Sequence, residues 1–180
     1  MRILAGKYKN RLLKSPKGQK TRPTLSKVRE SIFNILQNQI EGAKFLDLFA
    51  GSGAMGIEAL SRGAESSVFV ERDRNAVTCI KENLQALKIE TSVFQMDVKT
   101  ALKFLTKHSY SFDIIYLDPP YGLDIQPILD LVPPLLTSEG VLILEQGKER
   151  QVHASSFKQI DERLFGDTRL FFFSLPLNPS

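Results

Sequence analysis

The sequence predicts an α/β fold: a parallel sheet with helices on both faces, finished by an antiparallel hairpin. Three observations carry this expectation. After Gly42, five apolar strand-like runs alternate with helical patterns, as parallel strands joined by helical crossovers require. A glycine-rich turn, Gly51-Ser52-Gly53-Ala54-Met55-Gly56, lies directly between the first of these strands and the first of these helices. Near the end, two strand-like runs flank the turn Phe165-Gly166-Asp167.

The elements follow in order. Residues 2–14 read as a short β-hairpin, and Lys14 to Thr24, with Pro16, Gly18 and Pro23, as a loop. Thr24 is an expected N-cap for a helix through Gln37, with Val28, Ile32, Ile35 and Leu36 on one face. Strands are predicted over 44–49, 67–70, 91–95, 112–117 and 141–144. Helices are predicted over 54–62, 75–87, 100–106 and 125–136, the last ended by Ser138-Glu139-Gly140. Residues 157–163 and 168–175 form the closing hairpin. A parallel sheet ending in an antiparallel hairpin departs from the usual dinucleotide-binding fold. It fits the Rossmann-like seven-stranded sheet of class I S-adenosylmethionine-dependent methyltransferases, with a small N-terminal β-hairpin and helix added.

Composition narrows the setting. The 180 residues fit one ordinary domain, and no apolar run approaches the roughly 20 residues of a membrane span. No signal-peptide pattern is present, so a cytoplasmic protein is expected. Cys79 is the single cysteine, and His108 and His153 form no metal-ligand spacing with it; no metal is expected. The net charge of +4 is uneven. Residues 1–30 hold ten basic residues against one acid, whereas the other 150 hold 14 basic and 19 acidic residues. A basic segment on a mildly acidic body suits a polyanion. The expected organisation is a basic extension over 1–40 that docks nucleic acid, and the α/β domain over 41–180. Arg2, Lys7, Lys9, Arg11, Arg22 and Arg29 are the candidate RNA contacts, interleaved with Ile3, Leu4, Tyr8, Leu12 and Leu13 as in folded structure.

The first chemical motif runs from Asp47 to Gly56. Gly51, Gly53 and Gly56 allow a tight turn and close backbone approach to a ligand, with Phe49, Ala50 and Ser52 between them. The same spacing also marks nicotinamide cofactors. Asp47, four residues before Gly51, shifts the balance: a carboxylate at the strand tip suits a cationic methionine amino group and would repel a pyrophosphate. Glu71, at the end of the second strand, can accept both ribose hydroxyls of either cofactor. Asp97 follows the third strand and is either an acceptor for the adenine amino group or a plain N-cap.

Asp118-Pro119-Pro120-Tyr121 closes the fourth strand. An exocyclic amino nitrogen of a base is a poor nucleophile, because its lone pair is delocalised into the ring. Asp118 and the Pro119 carbonyl can accept its two hydrogens and aim the lone pair. Pro119 and Pro120 stiffen the loop, so the acceptors are placed in advance. Tyr121 offers a π-face for stacking a base. Cys79 reads as core, and His108 and His153 as surface loop residues.

At this point the chain is identified as similar to the RsmD family. Asp118-Pro119-Pro120-Tyr121 resembles the signature of amino-group methyltransferases. Arg2-Ile3-Leu4-Ala5-Gly6, Thr21-Arg22-Pro23-Thr24, Val28-Arg29-Glu30 and Phe33-Asn34 resemble the family's N-terminal signature. The run from Leu46 to Gly53, continuing through Glu58-Ala59-Leu60-Ser61-Arg62-Gly63-Ala64, and the Gly166-Asp167-Thr168 turn complete the likeness, which spans nearly the whole chain. Met55 stands where a smaller aliphatic residue is expected. The resemblance implies S-adenosylmethionine as methyl donor and N2 of guanine 966 in 16S rRNA as target, in the small ribosomal subunit or its assembly intermediate, and a monomer is expected. Three rivals stay open. An amino-methyltransferase could act on another RNA or DNA base or on a protein glutamine. A nicotinamide-dependent oxidoreductase leaves Asp118 to Tyr121 unexplained. A non-enzymatic RNA-binding assembly factor has no need of Asp47, Glu71 and Asp118.

Overall fold

In the computed structural model, residues 1–16 and 24–176 are described. The elements are α1 (Thr24–Ile35), β1 (Lys44–Leu48), α2 (Ala54–Ser61), β2 (Ser66–Glu71), α3 (Arg74–Ala86), β3 (Val93–Gln95), α4 (Val98–Lys107), β4 (Phe112–Leu117), α5 (Gln126–Leu129), β5 (Leu136–Gly147), β6 (Lys158–Phe165) and β7 (Thr168–Ser174). They build a seven-stranded sheet of order β3-β2-β1-β4-β5-β7-β6. β1 to β5 run parallel, and β7 inserts antiparallel between β5 and β6.

The central strands are apolar because both faces are covered. On one face, Leu46, Ile115, Leu117, Leu142 and Leu144 pack with Val98, Leu102 and Leu105 of α4 and Ile128 and Leu129 of α5. On the other, Phe45, Ile114, Tyr116 and Ile143 pack with Val28, Ile32, Phe33 and Leu36 of the α1 region. Beside them Ile57 of α2, Phe69 of β2 and Ile80 and Leu84 of α3 enclose Ile3 and Leu13. Residues 1–16 and α1 therefore share the core of the sheet. Of the expected loop over 14–24, residues 17–23 lie outside the described residues, and so does the capping side chain expected at Thr24.

Three expected elements take a different form. The N-terminal hairpin is a single bridge, Arg2 to Leu12, rather than a ladder. Its arms are joined by bonds such as Ile3 N–H to the Arg11 carbonyl and Leu13 N–H to the Met1 carbonyl, and further bonds tie it to the body: Leu4 and Ala5 N–H donate to the Glu58 carboxylate at 2.9 and 3.1 Å, and Lys7 N–H donates to the Ser61 carbonyl at 2.7 Å. The predicted helix over 125–136 is only the four residues of α5 followed by a 3-10 turn, Pro133–Leu135. Pro133 and Pro134 lack the N–H groups a continuing helix needs, and each restricts the residue before it. β5 starts at Leu136, five residues early, with Ser138-Glu139-Gly140 absorbed in an irregular stretch between the Phe112 and Ile114 pairings.

Candidate active site

The carboxyl ends of β1, β2, β4 and β5 open into a cavity of about 940 Å³. Ligands of open α/β sheets lie in this crevice. Asp47, Phe49, Ala50, Gly51 and Ser52 form one side with Glu71. Asp118, Pro119, Pro120 and Tyr121 form the other. Two motifs about 70 residues apart in sequence thus face one space.

The first motif is shaped by its backbone. β1 ends at Leu48, and Phe49 turns into the left-handed region with φ 59°. A non-glycine residue there carries strain of the kind concentrated at ligand cradles. Gly53, at φ 77°, caps α2. Gly56 lies outside the cavity lining and donates its N–H to Asp47 Oδ2 at 2.9 Å. Glu71 holds the loop from the neighbouring strand: Gly51 N–H donates to Oε2 at 2.9 Å and Asp73 N–H to Oε1 at 2.8 Å.

Asp47 is 1% exposed. Burial pushes its carboxyl up to about 8, Gly56 N–H offsets part of that, and the charge of Glu71 adds to it. A buried carboxyl on a cavity floor, with one backbone donor, is a poor neighbour for a phosphate and a good one for an ammonium group. The donor set fits the methionine end of S-adenosylmethionine, with Glu71 placed for a ribose. Asp97 is placed differently. It is exposed, caps α4 by accepting from Lys99 and Thr100 N–H, and lies outside the cavity lining. The capping alternative is the one the geometry shows.

On the far side, Asp118 and Pro119 are half-buried and Tyr121 is 70% exposed at the mouth. Gly122, at φ 84°, turns the chain back, and Arg150 donates to the Leu123 carbonyl at 2.7 Å, holding the loop from outside. Sequence reasoning missed two residues here. Tyr116 and Glu145 also line the cavity, and the Tyr116 hydroxyl donates to Glu145 Oε2 at 2.6 Å. Burial raises the Tyr116 hydroxyl well above its ordinary range, with the charges of Asp118 and Glu145 adding to the effect, so it stays a proton donor. A tyrosine in an apolar strand gives no functional signal. Glu145 gave one: like Asp47, Glu71, Asp97 and Asp118, it is an acid at the end of an apolar run.

The candidate RNA-contacting cations divide. Arg2, Lys7, Lys9 and Arg11 are exposed on the N-terminal hairpin. Arg22 lies outside the described residues. Arg29 is 3% exposed and is a correction to the expected set. Its Nη2 donates to the Arg2 carbonyl at 2.6 Å, and its Nε lies 3.7 Å from Glu58. An ion buried with its partner cannot also meet a phosphate in solvent. Met1, Ser15 and Arg29 line the cavity, so the N-terminal segment forms part of its wall. Among the described residues no group of three metal-binding side chains occurs, and no helix is long and apolar enough to cross a membrane.

The sheet order, the antiparallel β7 and the paired crevice define the class: the fold is that of class I S-adenosylmethionine-dependent methyltransferases. The model of a family described as conserved hypothetical protein 95 matches residues 1–174. The chain belongs to this family, the RsmD family that its motifs resemble. It is 42% identical over 154 residues to a Bacillus subtilis protein, YlbH, named provisionally as an rRNA methyltransferase; the match covers 83% of this chain and 84% of that one. It is 37% identical over 127 residues to the Haemophilus influenzae ribosomal RNA small subunit methyltransferase D, covering 69% of this chain and 66% of that protein, just under two thirds of its length. A solved Escherichia coli structure, yhhF, titled provisionally as a methyltransferase, superposes with a TM-score of 0.83 at 32% identity over 97% of both chains.

Proposed function

We propose that this protein transfers a methyl group from S-adenosylmethionine to the exocyclic N2 of a guanine in small-subunit ribosomal RNA, the position corresponding to guanine 966 of 16S rRNA. The observation that carries the reading is the single cavity shared by Asp47 and Glu71 on one side and Asp118 to Tyr121 on the other. The names of relatives such as the Haemophilus small subunit methyltransferase D support the RNA class of the substrate. When bound, S-adenosylmethionine supplies a methyl group made electrophilic by its sulfonium, so that a nitrogen–carbon bond forms as the carbon–sulfur bond breaks.

The chain's own residues do the rest. Asp47 receives the cofactor's ammonium group and Glu71 its ribose hydroxyls. The target base leaves its stack and lies on the Tyr121 ring. Asp118 and the Pro119 carbonyl accept the two amino hydrogens and direct the nitrogen lone pair. As the nitrogen becomes acidic, an Asp118 carboxyl oxygen or a solvent molecule takes the proton. Positioning and charge stabilisation supply most of the acceleration. Arg2, Lys7, Lys9 and Arg11, with Arg22, meet backbone phosphates; the hairpin that carries the first four borders the cavity through Met1 and Ser15.

The test is incubation with labelled S-adenosylmethionine and either bare 16S rRNA or small subunits, followed by mass spectrometry of the digested RNA. One labelled guanosine bearing an N2-methyl group is the expected product. Tight NADH binding without any response to S-adenosylmethionine, or label on adenine or protein, refutes it.

A further inference from the structure

The Tyr116–Glu145 pair lies outside the roles assigned so far. Glu145 is 9% exposed and Tyr116 4%, yet both border the cavity. Tyr116 pairs with Asp47 across β1 and β4. Leu117 pairs with Leu144 across β4 and β5, so Asp118 and Glu145 each follow one residue later, on adjacent strands. Tyr116 and Ile143 share the α1 face of the sheet, and alternation puts Asp118 and Glu145 toward the same side.

We infer that Glu145, positioned by Tyr116, accepts the ring N1–H of the target guanine next to the amino group held by Asp118, and so selects guanine over other amino-bearing bases. This rests on the methyl-transfer reading above. The hydrogen-bond direction gives the reason. The Tyr116 proton is committed to Glu145 Oε2, which makes that oxygen an acceptor and ties the orientation of the carboxyl group to a buried hydroxyl. The base-facing wall then presents acceptors side by side: Asp118, the Pro119 carbonyl and Glu145. Guanine carries a ring N–H directly beside its amino-bearing carbon, three N–H hydrogens on one edge. Adenine and cytosine carry two amino hydrogens followed by a ring nitrogen lone pair. That lone pair would face a buried carboxyl group, an unmatched contact that rejects the wrong base more strongly than lost packing does.

The probe is 2-aminopurine, which keeps the 2-amino group but has a lone pair at N1. The guanine that mass spectrometry identifies as methylated in 16S rRNA is replaced by 2-aminopurine through ligation of a synthetic fragment. Single-turnover rates are measured on both RNAs for wild type, Glu145→Gln and Tyr116→Phe. Wild type should favour guanine by at least about tenfold, the loss expected for one hydrogen bond to a charged group. Glu145→Gln carries an amide N–H that can meet the N1 lone pair, so the ratio of guanine to 2-aminopurine rates should fall at least about tenfold. Tyr116→Phe should lower the same ratio by a smaller factor, which loss of bulk structure would not do. Calorimetry with S-adenosylhomocysteine checks that each variant keeps cofactor affinity within a few-fold of wild type, and Tyr116→Phe carries the test if Glu145→Gln does not fold. Equal wild-type rates on the two RNAs, or an unchanged ratio in the variants, overturns the role of Glu145 while methylation itself stands. No methylation of guanine by wild type overturns both.

Discussion

Replacing Asp47 by Asn tests the cofactor end of the cavity through two opposed effects. Asp47 is 1% exposed, accepts one backbone N–H, from Gly56, and titrates near 8. The ordinary value for the unfolded chain is 3.8. Because the folded value is the higher one, the native state holds a proton that the unfolded chain releases. The stability this provides is present below pH 3.8 and is lost as pH rises toward about 8, by about 1.4 kcal/mol per pH unit. Asn does not titrate and can still accept from Gly56 N–H. Denaturant unfolding from pH 4 to 8 should therefore show Asp47→Asn gaining on wild type as pH rises, by up to several kcal/mol near neutrality. Binding should go the other way. Losing a charge-assisted bond to the ammonium group costs about 1.5–3 kcal/mol, roughly 10- to 100-fold in affinity for S-adenosylhomocysteine by calorimetry. Wild type should also release protons on binding below pH 8, seen as a dependence of the measured heat on buffer ionisation enthalpy. A variant no more stable than wild type anywhere in this range, with unchanged affinity, refutes the reasoning.

Asp118→Ala should lower single-turnover methyl transfer by roughly 100-fold or more while cofactor affinity stays within a few-fold. Gly6→Ala should cost at least about 2 kcal/mol in denaturant unfolding, because Gly6 has φ 82° and a Cβ there would overlap the Ser61 carbonyl. Asn83→Ala should cost about 1–3 kcal/mol and weaken S-adenosylhomocysteine binding, since Asn83 is buried and bonds both Lys14 and the Ser52 carbonyl beneath the glycine loop. Neutralising Arg2, Lys7, Lys9 and Arg11 together should weaken RNA binding and flatten its salt dependence, each lost phosphate contact removing roughly 0.7–0.9 from the log–log slope, with cofactor affinity unchanged.

Local signals were strong where one physical cause dominated. The central parallel strands were legible because burial on both faces demands apolar runs, and β4 falls on its predicted limits. Glycines and prolines marked both cavity loops, because few other residues make those turns. Failures came where two signals competed. Residues 125–136 carry a helical apolar period, but Pro133 and Pro134 remove the donors that would extend it. Tyr116 looked like core because it is core; only its hydroxyl, aimed at an acid 29 residues away, gives it a second role. Asp97 carried the right position for an adenine contact, and the helix that follows uses it as a cap.

The N-terminal segment shows why charge alone assigns a role badly. All ten basic residues of the first 30 count equally in composition, but among the described ones the fold buries Arg29 and leaves Arg2, Lys7, Lys9 and Arg11 exposed. Glu58, at the middle of α2 and 1% exposed, accepts from Leu4 and Ala5 N–H and from Arg62 Nε, with Arg29 Nε at 3.7 Å. That one buried acid needs cations and amides around it, and Arg29 is drawn inward to answer it. Arg29 in turn grips the Arg2 carbonyl, which leaves the Arg2 side chain on the surface. The exposed cations of the hairpin are thus held in place by a cation that is not exposed. Asn83 ties the same segment to Ser52 in the glycine loop. The surface proposed to meet RNA and the loop proposed to meet the cofactor are joined by these bonds, so each depends on the other for its shape.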